Sequence, residues 1–173
     1  MIKATRCLLI FYLILLVWVL LFKYPIDIAP VMAILRDPDS IRIMNFIPFY
    51  ETLEGAEVWF NLLIFIPLGL FLGMVFPKAK IFKLVLFAFV FSTIIELLQF
   101  ILALGYGDVT DILLNTLGAF IGLQIHFRWT KLSEPNKLDR PLLIAGYFIC
   151  FTLIAGALYM AIVRGYHIMP IQP

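Results

Sequence analysis

The chain has 173 residues, 64% of them hydrophobic and 14% charged, with a formal net charge of +2 and a mean hydropathy of +1.06. A water-soluble domain carries roughly 25% charged residues, and here the deficit is gathered into long apolar blocks between short charged stretches, the pattern of membrane spans. This composition excludes a separate soluble enzyme. No phosphate-binding glycine loop, nucleophile elbow or nucleic-acid signature occurs, and one polytopic domain is expected over residues 1–173.

In chain order, the first apolar run covers residues 7–22 and follows Lys3 and Arg6. A cleaved leader would end on a small-x-small site, but Lys23-Tyr24-Pro25-Ile26-Asp27 follows. The run therefore reads as an uncleaved helix, anchored at the interface by Trp18 and Tyr24. The second run, about 58–76, holds Asn61, Pro67, Gly69 and Gly73; Pro67 is expected to kink it and splay its outer half. The third, about 84–104, is interrupted by Ser92, Glu96 and Gln99. The fourth, about 109–129, is entered through Asp108 and carries Asp111 and Asn115. The fifth, about 142–163, is almost purely apolar. The last four are each near the ~20 residues that cross a hydrocarbon core. The fold class is thus all-α integral membrane, with about five transmembrane helices.

With the N-terminus inside, the inner segments hold Lys3, Arg6, Lys78, Lys80, Lys83, Arg128, Lys131, Lys137 and Arg140. The outer segments hold Lys23, Arg36, Arg42 and Arg164. The imbalance assigns an N-in, C-out topology. The outer loop 23–57 is acidic, with Asp27, Asp37, Asp39, Glu51, Glu54 and Glu57. Within it, 41–50 is apolar, aromatic and too short to span. It is expected to be interfacial or re-entrant, and Pro48 argues against a continuous helix through it.

Glu96, Asp108 and Asp111 stand out because a carboxylate at membrane depth costs at least ~2.5–3.5 kcal/mol on insertion scales. Such a group is poor interhelical glue, since it needs a cation or must keep its proton. Ser92, Glu96 and Gln99 share one helix face, and Asp108, Asp111 and Asn115 share another. The short link Gly105-Tyr106-Gly107 makes the two helices an antiparallel hairpin with the faces opposed. Eight residues put Glu96 roughly 12 Å below the hairpin tip, level with Asn115, while Asp111 lies nearer Gln99. Asn61 lies at a depth to join them. The expected result is a polar pocket in the outer half of the membrane, lined by Asn61, Glu96, Gln99, Asp108, Asp111 and Asn115. Asp108 is equally placed to cap the fourth helix, and Asn61, Gln99 and Asn115 serve equally well as hydrogen-bonding glue. Gly69 with Gly73, and Gly118 with Gly122, are small-xxx-small packing pairs. Cys7 and Cys150 read as packing residues. His126 and His167 fall at opposite faces without metal-ligand spacing, so no metal or cofactor is required.

Several segments occur together in order: Asn45-Phe46-Ile47-Pro48-Phe49, Asn61-Leu62-Leu63-Ile64-Phe65-Ile66-Pro67-Leu68-Gly69, Glu96-Leu97-Leu98-Gln99-Phe100, and Asp108-Val109-Thr110-Asp111-Ile112-Leu113-Leu114-Asn115-Thr116-Leu117-Gly118. In these the chain resembles the VanZ-like family, named for teicoplanin-resistance proteins of Gram-positive bacteria. The resemblance covers about 41–123. The end of the first helix, Trp18 to Lys23, and Asn136-Lys137-Leu138-Asp139-Arg140 also resemble the resistance branch. The sequence departs from the pattern in Leu104-Gly105-Tyr106-Gly107, where many members carry an arginine before the first aspartate.

The resemblance implies a bacterial cytoplasmic-membrane protein associated with resistance to lipoglycopeptide antibiotics, and makes Asn45, Pro48 and Phe49 an outer-loop motif. It supplies no reaction. Three readings stand: a binding protein whose partner is an envelope lipid, a lipid-linked cell-wall precursor or the antibiotic; an intramembrane enzyme using Glu96, Asp108 and Asp111 as acid/base groups or cation ligands at a lipid phosphate or headgroup; and a structural or assembly factor. An oligomer is compatible with each.

The topology has a direct test. In a background lacking Cys7 and Cys150, Thr52→Cys is expected to react with an impermeant thiol reagent on intact cells, and Ser133→Cys is not. Labelling of position 133 from outside would reverse the orientation.

Overall fold

A computed structural model describes residues 2–22, 44–49, 56–102, 107–132 and 139–168. These form helices α1 (Ile2–Phe22), α2 (Ala56–Val75), α3 (Ile81–Ile101), α4 (Val109–Leu132) and α5 (Asp139–Ile168), with two short strands, β1 (Met44–Asn45) and β2 (Gly107–Asp108). Five helices thus stand where five apolar runs were read. The segments Lys3–Leu21, Ile81–Ile101 and Val109–Lys131 are long and apolar enough to cross a membrane, while Trp59–Val75 and Arg140–Gly156 are shorter apolar stretches. Most helices run past the apolar block at one or both ends, because Lys and Arg are good helix formers and stay helical where the chain leaves the apolar layer. Pro141 falls in the first turn of α5, where its missing N–H costs no helical bond. Residues 23–43 and 50–55 of the outer loop, and 103–106, which include Gly105 and Tyr106 of the expected hairpin tip, lie outside the described residues.

The tightest packing joins α2 to α4, and glycine makes it possible. A Cβ on Gly69 would run into the carbonyl oxygen of Ala119, one on Gly118 into that of Leu62, and one on Gly122 into that of Ile66. A Cβ on Gly73 would lie 2.6 Å from Nδ1 of His126. Residue numbers rise together along both helices, so α2 and α4 run parallel, each glycine of one seated on the backbone or ring of the other. Both expected packing pairs are therefore used, and against each other. Approach this close also allows Cα–H···O contacts, a second-order gain.

α1 closes the core. Tyr12 is fully buried and donates its hydroxyl to the carbonyl of Ile64 at 2.6 Å, and its ring meets Phe71 edge-on at 5.2 Å. Pro67 sits inside α2 and removes the helical donor for the carbonyl of Leu63, so Tyr12 contacts the helix where its ladder is interrupted. On α5, a Cβ at Gly146 would lie 2.6 Å from Cδ2 of Leu8 and 2.7 Å from Cζ of Phe71. This packs the start of α5 beside the start of α1 and the last turns of α2.

Gly118→Leu is expected to prevent the α2–α4 approach and lower the yield of monodisperse protein in detergent several-fold. Gly156→Ala, which meets no atom within 4 Å, serves as the control. Wild-type yield and melting temperature for Gly118→Leu would remove the glycine contact as a folding determinant.

Candidate functional site

Lys3, Arg6, Lys78, Lys80, Lys83, Arg128, Lys131 and Arg140, the basic residues whose side chains are described, all lie at one end of the bundle. It is the end where α1 and α5 begin, α2 turns into α3 and α4 finishes. The polar residues singled out in the sequence lie toward the other end, where α4 starts.

Glu96 is 2% exposed, and its Oε2 accepts a hydrogen bond from the backbone N–H of Asp108 at 3.0 Å. Asp108 in turn accepts from the backbone N–H of Thr110 at 2.7 Å. This is the N-cap geometry expected of it, since an aspartate side chain satisfies an orphan N–H of the first turn. In a capping box, a glutamate from inside the helix reaches back to the N–H of the cap residue. Here that position is filled from the neighbouring helix, so α3 caps α4 through Glu96.

A third segment is bound to the same point. β1 pairs in parallel with β2, Met44 opposite Gly107 and Asn45 opposite Asp108. Asn45 Nδ2 donates to Asp108 Oδ2 at 3.3 Å, while Asn45 Oδ1 accepts from the N–H of Ile47 at 3.0 Å. The N–H of Phe49 donates to Oγ1 of Thr110 at 3.0 Å. Phe49 has a φ of 60°, a left-handed conformation costly for a bulky side chain, and the Thr110 hydroxyl holds it there. Pro48 and the rings of Phe46 and Phe49 are exposed. Residues 44–49 thus form strand, bend and turn at the mouth of the bundle, with no helix.

The remaining candidates lie along the α3–α4 seam or beside it. Asn115, 1% exposed, donates to Oγ of Ser92 at 2.9 Å. Gln99, 6% exposed, donates to the carbonyl of Leu20 at 2.9 Å. That carbonyl is one of the last in α1, without a helical donor of its own, so Gln99 ties α3 to α1 and has the glue role. Asn61 is buried on α2, next to Leu62 and thus within a turn of the level of Asn115. Asp111 lies partly buried in the first turn of α4, where a carboxylate complements the helix dipole.

One geometric expectation is corrected. Asn115 meets Ser92, one turn deeper than Glu96, and Glu96 meets Asp108 at the helix start. α3 ends at Ile101 and α4 begins at Val109, so the link is longer than the three residues read as the tip. β2 and the start of α4 are recessed to the level of Glu96. Thr110, 4% exposed, was not singled out by sequence, although its position two residues after an aspartate is the spacing of a side-chain cap.

Thr110→Val keeps shape and removes the acceptor for Phe49. The amide of Phe49 is expected to exchange with deuterium about fivefold faster, the loss of roughly one hydrogen bond, and Thr110→Ser is expected to restore it. Unchanged exchange in the valine variant would show that the turn is held by other contacts.

No solved structure matches the chain. The protein VanZ of Enterococcus faecium is 34% identical over 158 residues, covering 91% of this chain and 95% of that relative. The family model described as VanZ/LLP1 matches residues 9–130, which take in α1 through nearly all of α4 and every candidate residue above. The chain belongs to the VanZ/LLP1 family.

Proposed function

We propose that this chain is a multi-pass protein of the bacterial cytoplasmic membrane, N-in and C-out, that lowers susceptibility to teicoplanin-type lipoglycopeptide antibiotics. Its working part is a polar pocket facing the outer leaflet, where it binds an envelope lipid, a lipid-linked precursor or the antibiotic. One observation carries this reading. A buried carboxylate, Glu96, sits where three family segments converge, joined to Asp108 directly and to Asn45 through it. An uncharged amide would satisfy a backbone N–H at less desolvation cost, so pure scaffolding gives no reason for a charge-bearing group at that depth.

The orientation is supported by the basic residues. The described lysines and arginines gather at the end opposite Asp108, as they would if that end faced the cytoplasm. The segment 44–49 then lies at the outer interface. Its exposed Phe46, Ile47 and Phe49 suit the boundary between headgroups and acyl chains, the interfacial placement read from the sequence.

Glu96→Gln keeps the shape and an acceptor for the Asp108 N–H while removing the carboxylate. In a susceptible host with matched membrane levels, it is expected to insert and fold but to lose most of the change in antibiotic sensitivity. Asp111→Asn is expected to do the same, with the double variant no worse than either single one if the two act as a unit. Full resistance with both substitutions would leave packing as the role of these residues.

A further inference from the structure

We infer that the basic end of the bundle holds an anionic phospholipid, seated where the start of α3 meets the last turns of α4. This site rests on the membrane placement proposed above and is independent of the outer pocket.

The formal net charge of +2 conceals a strong polarity along the bundle. The segments at this end, 1–6, 76–83 and 128–140, hold nine lysines and arginines against two acids, Glu134 and Asp139, while the rest of the chain holds four against nine. Five of the bases converge. Gly73 of α2 lies against the His126 ring, so the turn that follows α2, with Lys78 and Lys80, leaves beside the last turns of α4, with Arg128 and Lys131. α3 and α4 run antiparallel and meet at Ser92 and Asn115. Lys80 lies twelve residues before the one and Arg128 thirteen after the other, so the two stand at about the same level, with Lys83 one turn nearer the middle. All five side chains are exposed. Like charges gathered at one level repel one another, and an anion among them removes the repulsion.

The backbone acts in the same sense. α1 and α3 both begin at this end, and neither has an acid in its first turn. Lys3 and Lys83 stand there instead, where the helix dipole disfavours a cation and favours an anion. Lys80, the N-cap of α3, offers no side-chain acceptor to the first-turn N–H groups, which leaves them to solvent or an anion.

Apolar surface beside the bases identifies the kind of anion. Phe76, Phe82 and Trp129 lie among them in the sequence and are 47%, 71% and 50% exposed. A soluble phosphate or an acidic peptide gains nothing from these rings. A phospholipid sets its headgroup against the bases and its acyl chains against the rings, and long lysine and arginine side chains reach to that boundary.

The test incubates the purified full chain in detergent with equal amounts of phosphatidylglycerol, phosphatidylethanolamine and phosphatidylcholine of matched acyl chains. The protein is then repurified and its bound lipid quantified by mass spectrometry. All three lipids carry a phosphate, and only phosphatidylglycerol keeps a net charge. At low ionic strength it is expected to be retained over each of the others by about tenfold, the scale of one or two bases at an anionic surface. In about 1 M salt, where the Debye length falls to about 3 Å, the preference is expected to shrink to about twofold or less. The triple variant Lys80→Gln/Lys83→Gln/Arg128→Gln changes only exposed side chains and is expected to retain the three lipids within about twofold of one another. Lys23→Gln/Arg36→Gln/Arg42→Gln removes the same charge from the outer loop and is expected to keep the preference. Equal retention by the wild type, or an undiminished preference in the first variant, would overturn the site. Loss of the preference in both variants would overturn it as well, because net charge would then be the cause. Release of the retained lipid by millimolar inorganic phosphate at constant ionic strength would overturn a phospholipid as the partner.

Discussion

The bond from the Asp108 N–H to the Glu96 carboxylate determines how the two central helices meet. It crosses from the start of α4 to the face of α3 at 3.0 Å, and it sets the depth at which α4 begins. The level of α4 in turn decides which turn of α3 faces Asn115, and where Gly118 and Gly122 lie against α2. The same residue, Asp108, anchors the segment 44–49 through a parallel bridge and a side-chain bond. One backbone amide thus links hairpin geometry, helix packing and the outer loop. Its partner is a group that is costly to bury in an apolar layer.

Much of this was legible in the sequence because the information is local. Apolar blocks fix the helices, and spacings of three and four residues put Ser92, Glu96 and Gln99 on one face and Asp108, Asp111 and Asn115 on another. A short link forces those helices into a hairpin. The cap role of Asp108 follows from its position before an apolar helix. The packing role of the glycine pairs was also legible, since small residues four apart in a span have few other uses.

What escaped is non-local or hidden by composition. Nothing in the glycine pairs says that α2 and α4 are partners, because α3 separates them in the chain. Tyr12 lies in an otherwise apolar run, and its bond to Ile64 depends on a helix more than fifty residues away. The bridge between β1 and β2 spans two residues on each side, too short for a periodic signal. The level of Asn115 against Glu96 escapes because the start of α4 lies beside Glu96, which a straight rise per residue does not anticipate.

The parallel pairing of α2 with α4 also bears on the order of assembly. In the multi-pass arrangement proposed above, a chain that enters the membrane from its N-terminus delivers α2 and then α3 before α4 exists. During that interval Gly69 and Gly73 present a bare backbone groove to lipid, and Glu96 enters the bilayer before Asp108 has been synthesised. Neither helix reaches its final environment by pairing with its immediate neighbour alone. α4 supplies both missing surfaces at once: a glycine face for α2 and an uncapped amide for α3. α4 therefore completes the part of the core built by α2 and α3, and a nascent chain stopped before residue 108 would keep an acidic side chain and an open groove in the membrane, the features by which quality control could distinguish it from the finished protein.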